Sequence, residues 1–193
     1  YNQALAERFS RRARRIAQQR GRLTLSPERA AAGDWETLQG GGVRAVGIGS
    51  GVTGTGAELI IIDDPVKSRE EANSLAKRDR VWEWYTDDIY SRLEPQGAIV
   101  LIMTRWHEDD LAGRLLEQDS EKWEVIKLPA IAEANDPLGR AEGEALNPSR
   151  FPLAELLRIR EVQGRSFTAL YQQEPHEQEG DLFKRSSFKF ADA

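Results

Sequence analysis

The sequence predicts an α/β fold, an open sheet with helices packed on it. Three observations carry this. Leu59-Ile60-Ile61-Ile62 and Ala98-Ile99-Val100-Leu101-Ile102-Met103 are short continuous apolar runs, the first closed by Asp63-Asp64-Pro65 and the second by Thr104-Arg105. Such runs read as strands buried on both faces, as in parallel sheets. A helical repeat of apolar positions over residues 69–93 separates them, and a second helical stretch, 108–118, precedes a third strand candidate from Trp123 to Pro129. Strand, helix, strand, helix, strand is the order of an open α/β sheet.

The elements follow in order along the chain. Tyr1, not Met, opens it and runs straight into a helical pattern, so the sequence reads as beginning inside something longer. Over residues 2–20, Leu5, Phe9, Ala13 and Ile16 recur at helical spacing and predict an amphipathic helix with Gly21 as its stop. Seven arginines lie from Arg8 to Arg22, after Glu7. Arg11, Arg12, Arg14 and Arg15 fall mostly outside the apolar stripe. This cluster is either a solvated basic face or a phosphate-facing surface.

Trp35 to Leu38 is a short strand candidate, Gly40-Gly41-Gly42 a turn, and Val43, Ala45 and Val46 a second short strand. Gly47 to Gly56 is glycine-rich. It precedes a strand, whereas a dinucleotide fingerprint follows a strand and opens a helix, so the stretch reads as a flexible turn. No G-x-x-x-x-G-K-[ST] loop occurs.

Ser68 is a suitable N-cap for the 69–93 helix, with Glu70 and Glu71 in its positive first turn. Leu75, Trp82, Tyr85, Ile89 and Leu93 form its apolar stripe, with Trp84 and Tyr90 outside it and Pro95-Gln96-Gly97 as its break. After Pro129 the texture turns loop-like through Asn147-Pro148-Ser149-Arg150-Phe151-Pro152. Two further helices are expected, 153–163 and 166–172, ending in Gln172-Gln173-Glu174-Pro175. A polar tail follows from Gly180.

Composition excludes several function classes. The 193 residues suit one domain of ordinary size, and 39% hydrophobic content supports a core. No cysteine is present, which excludes disulfides, iron–sulfur clusters and thiol catalysis. Two histidines, His107 and His176, cannot supply a three-histidine metal site. No apolar run approaches the ~18 residues of a membrane span. The net charge of −5 does not announce a nucleic-acid binder.

The residues with most chemical content are Asp63 and Asp64. Carboxylates at the carboxyl end of a buried parallel strand lie where open α/β sheets bind ligands. In nucleotide hydrolases such an acid organises Mg²⁺ and a following acid orients the attacking water. The alternative is a strand-ending turn with two solvated acids. Thr104 and Arg105 end the neighbouring strand candidate and could sense a γ-phosphate, or simply cap the strand. His107-Glu108-Asp109-Asp110 resembles a metal cluster, although it lacks the second His of H-E-x-x-H and acids suit a helix start anyway.

Several strings in fixed order, IIIDDPVKSREEA, SRLEPQGAIVLIMTRWHEDDLAGRLLE, LPAIAE, DPLGR, ALNPSRFP and ALYQQEP, resemble the large subunit of the tailed-phage terminase. The resemblance covers nearly the whole chain. It implies a partial RecA-like, additional-strand P-loop NTPase sheet with flanking helices, followed by a helical and loop linker. Residues 1–150 would be the C-terminal part of the ATPase domain, lacking the Walker A loop. Residues 151–193 would lead to an RNase H-like nuclease domain, with Asp192 a poor candidate for one of its carboxylates.

On this resemblance Asp63 is the Walker B aspartate that holds Mg²⁺ through water. Asp64 is the acid that activates water for attack on ATP, Thr104 is the coupling residue, and Arg105 a weaker candidate beside it. Thr55 stands near where related sequences carry a trans-acting arginine, with Arg44 the nearest substitute. The implied partners are double-stranded DNA, the phage portal protein, the small terminase subunit and further copies in a homo-oligomeric ring. No membrane is implied, and the place of action is the host cytoplasm. Arg11, Arg12, Arg14 and Arg15 would contact DNA or a neighbouring subunit.

The expected function is ATP-driven translocation of double-stranded DNA into a procapsid, with the 193 residues alone inactive. Two alternatives stand beside it. One is a metal-dependent nuclease or phosphotransferase built on Asp63-Asp64 and Asp109-Asp110. The other is a non-catalytic prophage remnant that binds DNA or partners.

Overall fold

The computed structural model describes residues 2–20, 23–50 and 54–175. Gly21, Gly51 within the glycine-rich stretch, His176, the tail from Gly180 and Asp192 lie outside the described residues. The chain divides into two compact units, Tyr1–Met103 and Thr104–Ala193.

In the first unit, helix α1 (Gln3–Gln19) is N-capped by Asn2, whose side-chain oxygen accepts from the Leu5 N–H at 2.8 Å. An antiparallel sheet follows: β1 (Leu25–Ala30), β2 (Asp34–Thr37) and β3 (Gly42–Arg44), in that spatial order. β1 has no counterpart among the sequence expectations. Its Pro27 and polar residues hide it, and Pro is tolerated because β1 is an edge strand.

The helix meets this sheet through a stripe other than the expected one. Ser10 is buried and its Oγ accepts the Trp35 indole N–H at 3.0 Å. The Gln3 amide donates to the Ala45 carbonyl at 3.0 Å and accepts from the Gly47 N–H at 2.8 Å. Arg14 donates to the Ala30 carbonyl. Gln3, Ser10 and Arg14 recur at seven and four residues and so share one face. Phe9 and Ile16, expected in the apolar stripe, are 52% and 44% exposed. Specific polar contacts to the strand backbone outcompete burial of those two side chains.

The glycine-rich stretch is correspondingly less free than expected. Gly47 is buried, and a Cβ there would stand 2.7 Å from the Gln3 backbone nitrogen.

β4 (Ala57–Asp63) and β5 (Leu93–Ile102) pair in parallel, with Ile60 opposite Ile99 and Asp63 opposite Ile102. The parallel relation is the expected one. Burial on both faces is not. Ile62 is buried at 4% exposed, while Leu59 and Ile61 on the opposite face are 56% and 62% exposed. Val100 and Ile102 are exposed on β5 as well. Among the described residues of the unit, one face of this two-stranded sheet is covered and the other is exposed.

The connection between them is not one helix over 69–93. It comprises α2 (Arg69–Asn73), capped by Ser68, then α3 (Leu75–Glu83), a π-helical turn Trp84–Ile89 and a 3₁₀ turn Tyr90–Arg92. Ser74 breaks the run, its ψ of 113° being extended backbone between α2 and α3. The π-turn rotates Trp84 inward beside Tyr85 and Ile89, all buried, so Trp84 joins the core although the helical stripe excluded it. Leu75, expected in that stripe, is 57% exposed. Pro95-Gln96-Gly97 does not stop the helix but lies inside β5. Ala57 faces Leu93 and Leu59 faces Ala98, so the register shift leaves its extra residues, Glu94 to Gly97, in β5, where Gln96 adopts φ 69°.

In the second unit, α4 (Leu111–Asp119) begins later than expected because Asp110 is its N-cap, accepting from the Gly113 N–H at 2.9 Å. Helices α5 (Leu153–Gln163) and α6 (Arg165–Tyr171) lie close to their expected bounds. Leu111, Leu115, Leu156, Phe167 and Ala169 are buried.

Residues Trp123 to Pro129 do not form the third strand. Val125 and Ile126 are 61% and 76% exposed. Within the segment the Leu128 N–H goes to the Gln173 side chain at 3.1 Å, and just beyond it Gln172 bonds both the N–H and the carbonyl of Ile131. Lys127 pairs with Glu174. The strand–helix–strand–helix–strand order therefore closes after two parallel strands among the described residues.

Candidate nucleotide site

The carboxyl end of β4 turns sharply. Asp63 is the last residue of the strand and its side chain is exposed. Asp64 donates its N–H to the Ile102 carbonyl at 2.8 Å, which extends the parallel ladder by one bond. It then adopts φ 49°, the left-handed region that Asp and Asn tolerate better than other non-glycine residues. Pro65 and Val66 follow and are buried, which anchors the turn. The two carboxylates predicted as a pair thus stand at the tip of a parallel strand, one exposed and one half-buried.

Just beyond the turn, Ser68 caps α2 and Glu71 accepts the Lys67 backbone N–H at 3.3 Å while its other oxygen stands 3.2 Å from the Lys67 ammonium. Lys67, Lys77 and Arg80 border a concavity of about 190 Å³ with Val66 and Val81 among its lining residues. These three cations were not singled out from the sequence. The signal available there was Lys77 and Arg80 at helical spacing beside the acid pair.

Thr104 and Arg105 belong to the second unit. Thr104 is half-buried. Arg105 is engaged by its own neighbourhood, donating from Nε to Asp110 Oδ2 at 2.7 Å. Asp110 is 2% exposed, and burial raises its carboxyl above the ordinary value against the pull of the Arg105 hydrogen bond and charge. The rest of the His107–Asp110 string also has structural work. His107 Nδ1 accepts the Asp109 N–H at 3.0 Å, and Asp109 forms a two-point pair with Arg114 at 2.6 and 2.9 Å. Among the described residues, no group of three or more His, Asp or Glu side chains is arranged to hold a metal ion.

On α1, Arg11, Arg12 and Arg15 are exposed, whereas Arg14 is half-buried and bonded to Ala30. The four therefore do not form one free basic face. Arg44 Nη1 donates to Thr55 Oγ1 at 2.8 Å, so the two residues weighed for a trans-acting arginine bond to each other.

No helix of the described residues is long and apolar enough to cross a membrane. Residues 5–190 match the family model described as terminase large subunit, T4likevirus-type, N-terminal. A search of curated proteins found no match.

Proposed function

The chain belongs to the terminase large-subunit family, which has a role in phage DNA packaging, and from that premise we propose that it carries the acidic half of an ATP-hydrolysing site. The reading is of a partial RecA-like sheet in which β4 supplies the Walker B acid. The observation that carries it is Asp63-Asp64 at the carboxyl tip of a strand in parallel register with β5.

Asp63 fits a hard divalent cation. It offers an exposed carboxylate, and a chain without cysteine offers oxygen donors in keeping with Mg²⁺. When bound with ATP, Mg²⁺ neutralises charge on the β- and γ-phosphates. Asp63 would hold such an ion through water, and Asp64, next along the turn at φ 49°, would orient the attacking water and accept its proton. Thr104, two residues past the end of β5, would be the coupling residue that links hydrolysis to movement. Arg105 acts on that link through Asp110 rather than on a phosphate. The described 193-residue sequence contains no phosphate-cradling G-x-x-x-x-G-K-[ST] loop, so turnover is expected only where one is supplied.

Within packaging, the partners proposed are double-stranded DNA, the portal, the small terminase subunit and other copies of the subunit in a ring. Exposed Arg11, Arg12 and Arg15 on α1 suit a phosphate backbone, through release of its counterions.

The test is Asp63→Asn in a full-length subunit. Mg²⁺-dependent ATP turnover should fall by about 10²-fold or more, with an unchanged melting temperature because the side chain is exposed. Undiminished turnover overturns the assignment, and Mg²⁺-dependent turnover by the 193-residue chain alone overturns the expectation that a phosphate loop must be supplied.

A further inference from the structure

The concavity at the carboxyl end of β4 has a chemistry that the acid pair does not use. Its floor includes Val66 and Val81, which are 6% and 9% exposed, and its rim carries Lys67, Lys77 and Arg80. Lys77 and Arg80 stand three residues apart on α3, so their charges are neighbours and repel. Among the described residues neither forms an ion pair.

Lys67 approaches from a second element, the turn before α2. Glu71 steadies it, taking its backbone N–H on one carboxylate oxygen and facing its ammonium with the other. Glu71 in turn receives no more than one charge's worth of neutralisation from Lys67, so the rim keeps a positive surplus from Lys77 and Arg80. That surplus disfavours a cation.

The volume, about 190 Å³, lies below the ~300–1,000 Å³ of pockets for drug-sized ligands. A small anion suits it better than a whole nucleoside. Cations converging from two elements match an anion with several acceptor oxygens. The position, beside the tip of a parallel strand, is where open α/β sheets place their ligands.

We propose that this concavity binds a phosphate group between Lys77, Arg80 and Lys67. The group belongs either to a nucleic-acid backbone or to a free nucleotide, which present the same chemistry to the rim. The binding needs neither hydrolysis nor Asp63, and so stands or falls separately from the reading of the acid pair.

The experiment titrates the 193-residue chain with inorganic pyrophosphate, without Mg²⁺, by calorimetry and by amide chemical shifts. Saturable binding with shifts at Val66, Lys67 and Val81 is expected. The double variant Lys77→Gln/Arg80→Gln should weaken it by about tenfold or more, while Lys77→Arg/Arg80→Lys should restore most of it. Both side chains are exposed, so circular dichroism should show parent-like folding for each variant. Asp63→Asn should bind pyrophosphate as the parent does.

Displacement then identifies the source. A short DNA duplex that displaces pyrophosphate, with a salt dependence lowered by about two charges in the glutamine variant, assigns the group to nucleic acid. Displacement by ADP and not by duplex assigns it to a nucleotide. Absence of saturable pyrophosphate binding, equal affinity in the glutamine variant, or displacement by neither competitor overturns the proposal.

Discussion

Arg105 donates from Nε to Oδ2 of Asp110 at 2.7 Å, and Asp110 is almost wholly enclosed at 2% exposed. The same carboxylate caps α4 through its other oxygen. One buried side chain therefore ties the strand-following segment to the first turn of a helix.

Replacing Arg105 by Met leaves that carboxylate buried and unpaired, at a cost of about 3 kcal/mol at neutral pH. The cost depends on pH in a fixed direction. Burial raises the folded carboxyl above its ordinary value near 3.8. A raised acid contributes its stability fully below the unfolded value and loses it as pH rises through the folded one. Arg105→Met removes the opposing interaction and raises the folded value further. Urea melts at pH 4 and pH 7 should show the variant's deficit shrinking at the lower pH. An equal deficit at both shows that Asp110 is not the group responsible.

Two buried indoles make a paired prediction. Trp35 Nε1 has Ser10 as acceptor, whereas Trp84 Nε1 has none among the described residues. Ser10→Ala should cost about 1–3 kcal/mol because it orphans a buried donor. Trp84→Phe removes a donor that has no partner, so its loss should be smaller than that of Trp35→Phe. Thermal unfolding of the three variants checks the ranking, and the reverse order counts against it.

Gly47→Ala should destabilise the first unit by more than a surface change would. The added Cβ meets helix backbone at 2.7 Å rather than a side chain that could swing away. It also displaces the Gly47 N–H from Gln3 Oε1. Hydrogen exchange at Leu5 and Ala6, in the first turn of α1, should accelerate. Parent-like protection there shows that the helix does not dock on this segment.

Asp64 separates backbone from chemistry. With φ at 49°, Asn and Gly should be tolerated and Val should cost about 1–2 kcal/mol. Asp64→Asn should therefore fold like the parent while losing the carboxylate proposed to accept a proton. A Val variant as stable as the parent would mean that the left-handed turn is absent in solution.

How much of this was legible in the sequence depends on the range of the forces involved. Helices α5 and α6 were readable because their turn residues and apolar positions act within a few neighbours. The acid pair at the end of the first aliphatic run was local in the same way, whereas the parallel pairing of the two runs was readable from their continuous apolar composition and the helical stretch between them. Resemblance to the terminase large subunit was readable too, since it rests on ordered strings, and the family match over residues 5–190 agrees with it. β1 was not readable, because a Pro-containing polar segment becomes a strand only when an edge is offered to it.

The remaining features were settled by contacts far apart in sequence. The side of α1 that meets the sheet depends on carbonyls and N–H groups at residues 30, 45 and 47, which no local periodicity encodes. Trp123 to Pro129 has strand-like composition, but a strand needs a ladder partner, and here the Leu128 N–H goes to the Gln173 side chain instead. The Arg105–Asp110 pair was likewise not legible, because it depends on burial of Asp110. The residue types and their order thus specify the family and the acid pair, because local pattern and motif are one-dimensional. Which cations are committed and which surround an open concavity is a property of three-dimensional pairing, where each charge goes to the partner that folding brings nearest.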